Sequence, residues 1–232
     1  MKRINWQNYE WITQERWGNH HPGGSNVWYD SSQVKIEDNI LHLGVSYNPL
    51  KVESGEIPFG VGLVSCVEQF GYGTFELEAK LPCGQPYAWP AFWMWSWESW
   101  PPEIDIIEAY SNSRGSYFNW TGEILLGKIW RCETNIHLGE QPKNYSLGAK
   151  KHRFTIKDPS KNWIKYKLVW TKDYLEFYYD DKLVRVVDDE KSISQLRGKK
   201  MNVIINNSLQ KPYLDKTKTY QFMVKNFKYL SL

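Results

Sequence analysis

The chain has 232 residues, with 29 Lys and Arg against 26 Asp and Glu and a formal net charge of +3. That balance excludes reliance on phosphate-backbone attraction, and a mean hydropathy of -0.60, with no apolar run near the ~18 residues of a membrane helix, excludes a helical span. One feature of composition stands out: 13 Trp, 15 Tyr and 9 Phe, 16% of the chain. So many indoles exceed what a core of this size needs. The first residues, Met1-Lys2-Arg3-Ile4-Asn5-Trp6-Gln7, are basic, but no apolar stretch follows, so no signal peptide is expected in this chain. Cys66, Cys83 and Cys132 are odd in number and lack paired spacing. They are expected as buried thiols, with one bridge and one free Cys as the alternative, rather than as a disulfide framework or zinc site.

Period-two patterning runs along the chain. Residues 74–81 alternate, with Phe75, Leu77, Ala79 and Leu81 on one face and Thr74, Glu76, Glu78 and Lys80 on the other; Pro82 ends the strand. Ile164, Tyr166, Leu168 and Trp170 repeat the pattern against Lys165 and Lys167, and Trp163 and Trp170 read as core. Residues 174–179 and 183–187 flank Asp180-Asp181-Lys182, a hairpin. One short helix is expected around 190–196, then strands at 201–209 and 220–230. There is no repeat and no dividing linker, so residues 1–232 are expected to form a single domain. Many strands with almost no helix predict an all-β sandwich or barrel; two packed antiparallel sheets would use this length well, and if they curve one face becomes a concave groove.

Several chemistries lack their residues. No G-x-S-x-G or H-E-x-x-H occurs, and Gly60-Val61-Gly62 and Gly71-Tyr72-Gly73 miss the third glycine of a dinucleotide site. His20-His21 reads as a polar loop pair. The aromatic residues are not interleaved with a dense basic patch, which argues against nucleic acid. Sequons at Asn119, Asn144 and Asn206 carry weight only in a eukaryotic secretory context.

The most informative segment is Glu103-Ile104-Asp105-Ile106-Ile107-Glu108. Glu103 and Asp105 share one strand face and Ile104 and Ile106 the other. Then parity breaks, because an unbroken strand would put Glu108 in the core, where an unpaired carboxylate costs several kcal/mol. A one-residue bulge at Ile106-Ile107 returns Glu108 to the face of Glu103 and Asp105. Three carboxyls then gather on one face, and mutual repulsion raises at least one pKa. Such a set suits paired acid and nucleophile chemistry at ~5–5.5 Å separation; a solvated acidic face and a calcium site are the alternatives. Just upstream, Trp89-Pro90-Ala91-Phe92-Trp93-Met94-Trp95-Ser96-Trp97 puts Trp89, Trp93, Trp95 and Trp97 on one parity. A core could absorb one or two of these; flat indoles beside carboxylates also suit sugar rings.

At this point the chain resembles glycoside hydrolase family 16. The hexapeptide at 103–108 is similar to the family's bulged E-x-D-x-x-E signature. Gly71-Tyr72-Gly73-Thr74-Phe75-Glu76 with Lys80-Leu81-Pro82 is similar to its strand before the active site, and 89–94 to its W-P-A-F-W-M stretch. Thr134-Asn135-Ile136-His137 is similar to its strand with a cleft histidine, and 163–187 and 201–207 to its closing strands. The resemblance implies a concanavalin A-like β-jelly roll with a concave cleft and retaining cleavage of a β-linked polysaccharide. By position it makes Glu103 the nucleophile, Glu108 the general acid/base and Asp105 the group that positions and tunes them. It makes Trp89 and Trp93 sugar-stacking residues and His137 a polar cleft contact. It also implies an extracellular or periplasmic location. Many members carry a convex-side calcium with an Asp in the last strand; here that strand reads Met223-Val224-Lys225-Asn226-Phe227-Lys228, so neither metal nor cofactor is expected.

The leading expectation is a monomeric retaining endo-β-glycosidase of β-1,3- or mixed-linkage β-1,3(4)-glucan, with a polysaccharide as its partner and neither nucleic acid nor membrane. A β-galactan of agar, porphyran or carrageenan type is the alternative substrate, with Arg114, Lys128 and Arg131 available for sulfates. A transglycosylase, or a non-catalytic carbohydrate-binding protein on the same fold, are the other readings.

Overall fold

The computed structural model describes residues 1–21, 25–118, 130–139, 152–155 and 157–232. Its strands form two sheets. One runs, in spatial order, β1 (Arg3–Trp6), β2 (Tyr9–Ile12), β7 (Leu63–Phe70), β16 (Met201–Asn206), β9 (Ala91–Trp95), β10 (Glu103–Glu108), β11 (Trp130–His137) and β12 (His152–Thr155). The other runs β15 (Lys182–Val187), β14 (Leu175–Tyr179), β13 (Ile164–Trp170), β8 (Gly73–Lys80), β17 (Tyr220–Ser231), β5 (Ile40–Val52), β6 (Gly55–Val61) and β3 (Val27–Tyr29), with β4 (Val34–Glu37) paired to β5. Pairing is antiparallel except where β3 meets β6 in parallel. This is the all-β sandwich that the patterning predicts, with the jelly-roll form that the resemblance implies.

Alternation decides which side of each strand meets the other sheet. On β8, Phe75, Leu77 and Ala79 are fully buried. Glu76 and Glu78 lie opposite Lys167 and Lys165 of β13 on the outer face, where opposite charges support the pairing. Lys225 of β17 joins them, 3.3 Å from Glu78. The hairpin between β14 and β15 turns on Asp180 and Asp181, both at positive φ (48° and 61°). Two such residues match the right-handed twist of the flanking strands. The expected helix is a single turn, Glu190–Ile193, capped by the Asp189 side chain, which accepts from the Ser192 amide at 3.0 Å.

The facing sides of the two sheets make one core, including Phe75, Leu77, Phe92, Ile104, Leu168 and Phe177. Three tryptophans belong to it. Trp11 and Trp170 are fully buried, and Trp6 nearly so. Trp6 and Trp11 pack on Phe227 at ring distances of 6.4 and 5.3 Å. Two expectations need correction. Trp163 is only half-buried; it precedes β13 with outward parity and lies under the Lys225 ammonium, 4.5 Å from its ring. Cys83 is exposed, while Cys66 and Cys132 are buried; all three are free thiols.

Candidate active site

The site grows from an irregularity in β10. Against β9, Glu103 pairs with Trp95, Ile104 with Met94 and Asp105 with Trp93; the register then slips, so that Ile107 pairs with Phe92 and Glu108 with Ala91. Against β11, Asp105 pairs with Asn135 and Glu108 with Glu133. Ile106 is the extra residue of a β-bulge. The bulge lets Ile104, Ile106 and Ile107 all sink fully into the core while Glu108 rejoins the cleft face of Glu103 and Asp105.

Each carboxyl has its own support. The Trp100 indole N–H donates to Glu103 Oε2 at 2.5 Å. His137, opposite Glu103 on β11, places Nε2 3.7 Å from Glu103 Oε1 and 3.4 Å from Asp105 Oδ2. One oxygen from each carboxyl and one ring nitrogen thus lie within 4.8 Å of one another. Glu108 accepts three hydrogen bonds: from the Trp89 indole (2.9 Å) and the Tyr110 hydroxyl (2.6 Å) on Oε1, and from the Asn135 amide (3.0 Å) on Oε2. Trp93 donates its indole N–H to Asn206 Oδ1 of β16 at 2.7 Å. The three carboxyls, Trp89, Trp93 and Asn206 line a cleft cavity of about 330 Å³, together with His21, Val27 and Tyr29.

Electrostatics distinguish the groups. Burial pushes the Glu103 carboxyl well above the usual carboxylate range, and the neighbouring Asp105 charge adds to it; His137 and the Trp100 N–H pull the other way. Burial, then the Glu108 charge, raises the Tyr110 phenol. From the core side, Arg185 of β15 donates to the Thr134 carbonyl (3.3 Å) and hydroxyl (3.0 Å) of β11. Burial lowers its guanidinium to about 10, with the Asp105 charge acting against that.

The six residues expected from sequence lie together: Glu103, Asp105, Glu108, Trp89 and Trp93 line the cavity, and His137 bridges two of the carboxyls. Trp89 is more than a third exposed, so its ring is open to the cleft. Sequence reasoning missed Trp100, Tyr110, Asn135 and Asn206. Trp100 had a signal, as an indole three residues before Glu103; Asn206 had none, being 113 residues from its partner. His21, read as bland, lines the cavity. Arg114 is exposed on a turn; Lys128, the Arg131 side chain and the sequons at Asn119 and Asn144 lie outside the described residues.

Comparison with known proteins gives consistent likenesses. The chain is 30% identical over 209 residues to a "Beta-1,3-glucan-binding protein" of Penaeus monodon, covering 84% of this chain and 50% of that protein. It is 23% identical over 163 residues to the "Endo-1,3-1,4-beta-glycanase EglC" of Rhizobium meliloti, covering 68% and 31%. The chain thus spans half the length or less of these relatives. Among solved structures, the laminarinase catalytic domain of Thermotoga maritima superposes with a TM-score of 0.75 at 19% identity, covering 96% of this chain and 92% of that one; at that identity the likeness is one of fold. A family model, "Glycosyl hydrolases family 16", matches residues 23–218, the span that contains the bulged strand and all strands of both sheets except β1, β2 and β17, and the chain belongs to that family.

Proposed function

We propose that the chain is a retaining endo-β-glycosidase that hydrolyses β-1,3- or mixed-linkage β-1,3(4)-glucan. One observation carries the reading: the bulge at Ile106 returns Glu108 to the face of Glu103 and Asp105, giving two separately supported carboxyls on one short strand. Glu103 attacks the anomeric carbon and forms a glycosyl ester while Glu108 delivers its proton to the departing oxygen. Glu108 then takes a proton from water, which attacks the same carbon and frees Glu103; two inversions give net retention. The first step needs an ionised Glu103. Burial opposes that, and the Trp100 N–H and His137 are the groups that favour it. Asp105 orients His137. Trp89 and Trp93 offer ring faces to the sugar, and the indole N–H of Trp89 also holds Glu108. The laminarinase and glycanase named among its likenesses support a glucan as substrate.

The Penaeus relative, named for binding β-1,3-glucan, favours a second reading as a carbohydrate-binding protein on the same fold. Binding alone needs neither acid nor nucleophile, and this chain has both carboxyls. Laminarin and lichenan, with agarose and carrageenan as controls, decide between them. Glucan hydrolysis with a retained β-anomer in the first product seen by NMR, abolished in Glu103→Gln with binding intact, is the expected result. Binding without turnover in the native chain would select the second reading, and an inverted product would overturn the mechanism.

A further inference from the structure

The N-terminal segment after β2 lies outside the family match at 23–218, yet it builds one wall of the cleft. It turns at Gly18, whose φ of +115° suits only glycine. The Gly18 amide donates to the Glu15 carbonyl at 3.0 Å, and the Tyr29 amide of β3 pins the segment through the Asn19 carbonyl at 2.6 Å. The turn presents Trp17, more than a third exposed, with its ring 5.3 Å from Trp95 and 5.5 Å from His21. Trp95 is the register partner of Glu103, so this aromatic wall stands directly beside the candidate nucleophile.

Behind the wall sits Glu15. It is fully buried, and neither its carboxyl oxygens nor the Trp95 indole nitrogen beside it makes a well-formed hydrogen bond. The groups that face it are few. From β9, Trp95 presents its indole, and from its own segment Arg16 presents its backbone amide; both favour the charged form. From β10, the Glu103 charge opposes it. From β3, Tyr29 packs close enough for its phenol to be raised, mainly by burial and then by Glu15. Among the described residues no cation pairs with Glu15. Burial dominates this balance and pushes the carboxyl up to about 8, so at neutral pH it is an uncharged acid.

We propose that Glu15 is a positioning residue of the active site: as a neutral acid buried behind Trp95 it seats the Trp17–Trp95–His21 wall beside Glu103, and loss of its proton unseats that wall. An ionised Glu15 would be a fully buried carboxylate with no cation partner among the described residues and a second carboxylate nearby, and the short N-terminal segment is the part that can move it to water. The substrate consequence rests on the proposed glucan reading: glucan chains long enough to reach Trp17 lose that contact as pH rises, which raises KM more than it lowers kcat.

The test begins without substrate. Hydrogen exchange of the wild-type protein between pH 6.5 and 9.5, corrected for intrinsic rates, follows the Gly18 and Tyr29 amides against those of β13. Protection at Gly18 and Tyr29 should fall at least tenfold with a midpoint near 8 while β13 stays protected, and in Glu15→Gln it should hold across the range. Unchanged protection in the wild type up to pH 9.5 overturns the proposal, whether or not the variant folds, as does the same loss in both proteins. Kinetics on laminarin supply the second readout: KM rising at least threefold from pH 7 to 9 in the wild type and flat in Glu15→Gln is expected, and parallel profiles overturn the assigned role. A chain that hydrolyses no glucan would fail the proposed function while leaving the exchange result to decide on Glu15.

Discussion

The indole N–H of Trp100 donates to Glu103 Oε2 at 2.5 Å, and the same ring packs 5.9 Å from that of His137. One side chain therefore supplies a donor to the candidate nucleophile and a wall for the histidine next to it. Removing the donor but keeping a ring, as in Trp100→Phe, isolates the first role. The N–H favours the charged form of Glu103, so its loss raises that carboxyl further and leaves less of it ionised at low pH. A hydrogen bond to a charged group is worth ~1.5–3 kcal/mol, so the acid limb of kcat/KM should move up by about one to two pH units. Activity should recover partly toward the alkaline side. A limb that stays in place while the rate falls uniformly would assign Trp100 to substrate packing instead.

Glu108 poses a different question, because Trp89 and Tyr110 both donate to its Oε1. Two donors on one oxygen substitute for each other. Tyr110→Phe and Trp89→Phe should each lower kcat/KM by about tenfold, roughly 1.4 kcal/mol. The double variant should lose more than the product of the two, since only the Asn135 amide on Oε2 then remains. Neighbours that share a partner show coupling of about 0.5–3 kcal/mol. Kinetics on laminarin for the four proteins give the coupling directly, and strictly multiplicative losses would show that the donors act independently.

Deleting Ile106 tests the bulge itself. Without the extra residue β10 reads Glu103-Ile104-Asp105-Ile107-Glu108 and alternates regularly, which leaves Glu108 on the face of Glu103 and Asp105 with no bulge. What the deletion removes is one fully buried isoleucine, a loss of about 2–5 kcal/mol, so Tm should fall while the folded fraction keeps hydrolysing laminarin. Ile106→Val keeps the residue count and should cost only ~0.5–1.5 kcal/mol with activity retained. A deletion variant that folds but has lost all turnover would refute the parity argument for Glu108.

The residues of β10 were legible in the sequence for a physical reason: parity and the cost of a buried charge conflict there, and only a bulge reconciles them. Trp89 and Trp93 followed from the same parity. What the pattern could not show is whatever enters the cleft from segments without a period. Trp100 sits in an irregular link, Tyr110 lies beyond the end of its strand, and Asn206 reaches Trp93 from β16, a sheet neighbour far along the chain. Glu15 is the extreme case, since nothing in a Glu-Arg-Trp-Gly turn announces a buried acid. Trp163 shows the opposite error: counting back from Ile164 places it outward, but indole composition argued for the core.

Phe92 and Trp93 give the sharpest test of that parity, being adjacent on β9 and facing opposite ways. Phe92 is fully buried and packs edge-on against Phe227, with ring centroids 6.2 Å apart. Trp93 lines the cleft and bonds Asn206. Phe92→Ala should cost ~3–5 kcal/mol through lost burial and the cavity left behind. At about 2–4 °C per kcal/mol for a chain of this size, Tm should fall by roughly 6–20 °C, with KM nearly unchanged in the fraction still folded. Trp93→Ala leaves Asn206 facing a water-accessible cleft, so its Tm should shift by no more than about 4 °C. Its kcat/KM on laminarin should nevertheless fall at least about tenfold, the equivalent of ~1.4 kcal/mol of lost sugar contact. Calorimetry and initial rates on the two variants separate the faces. If Trp93→Ala proved the less stable of the pair, the assignment of β9's faces would be reversed.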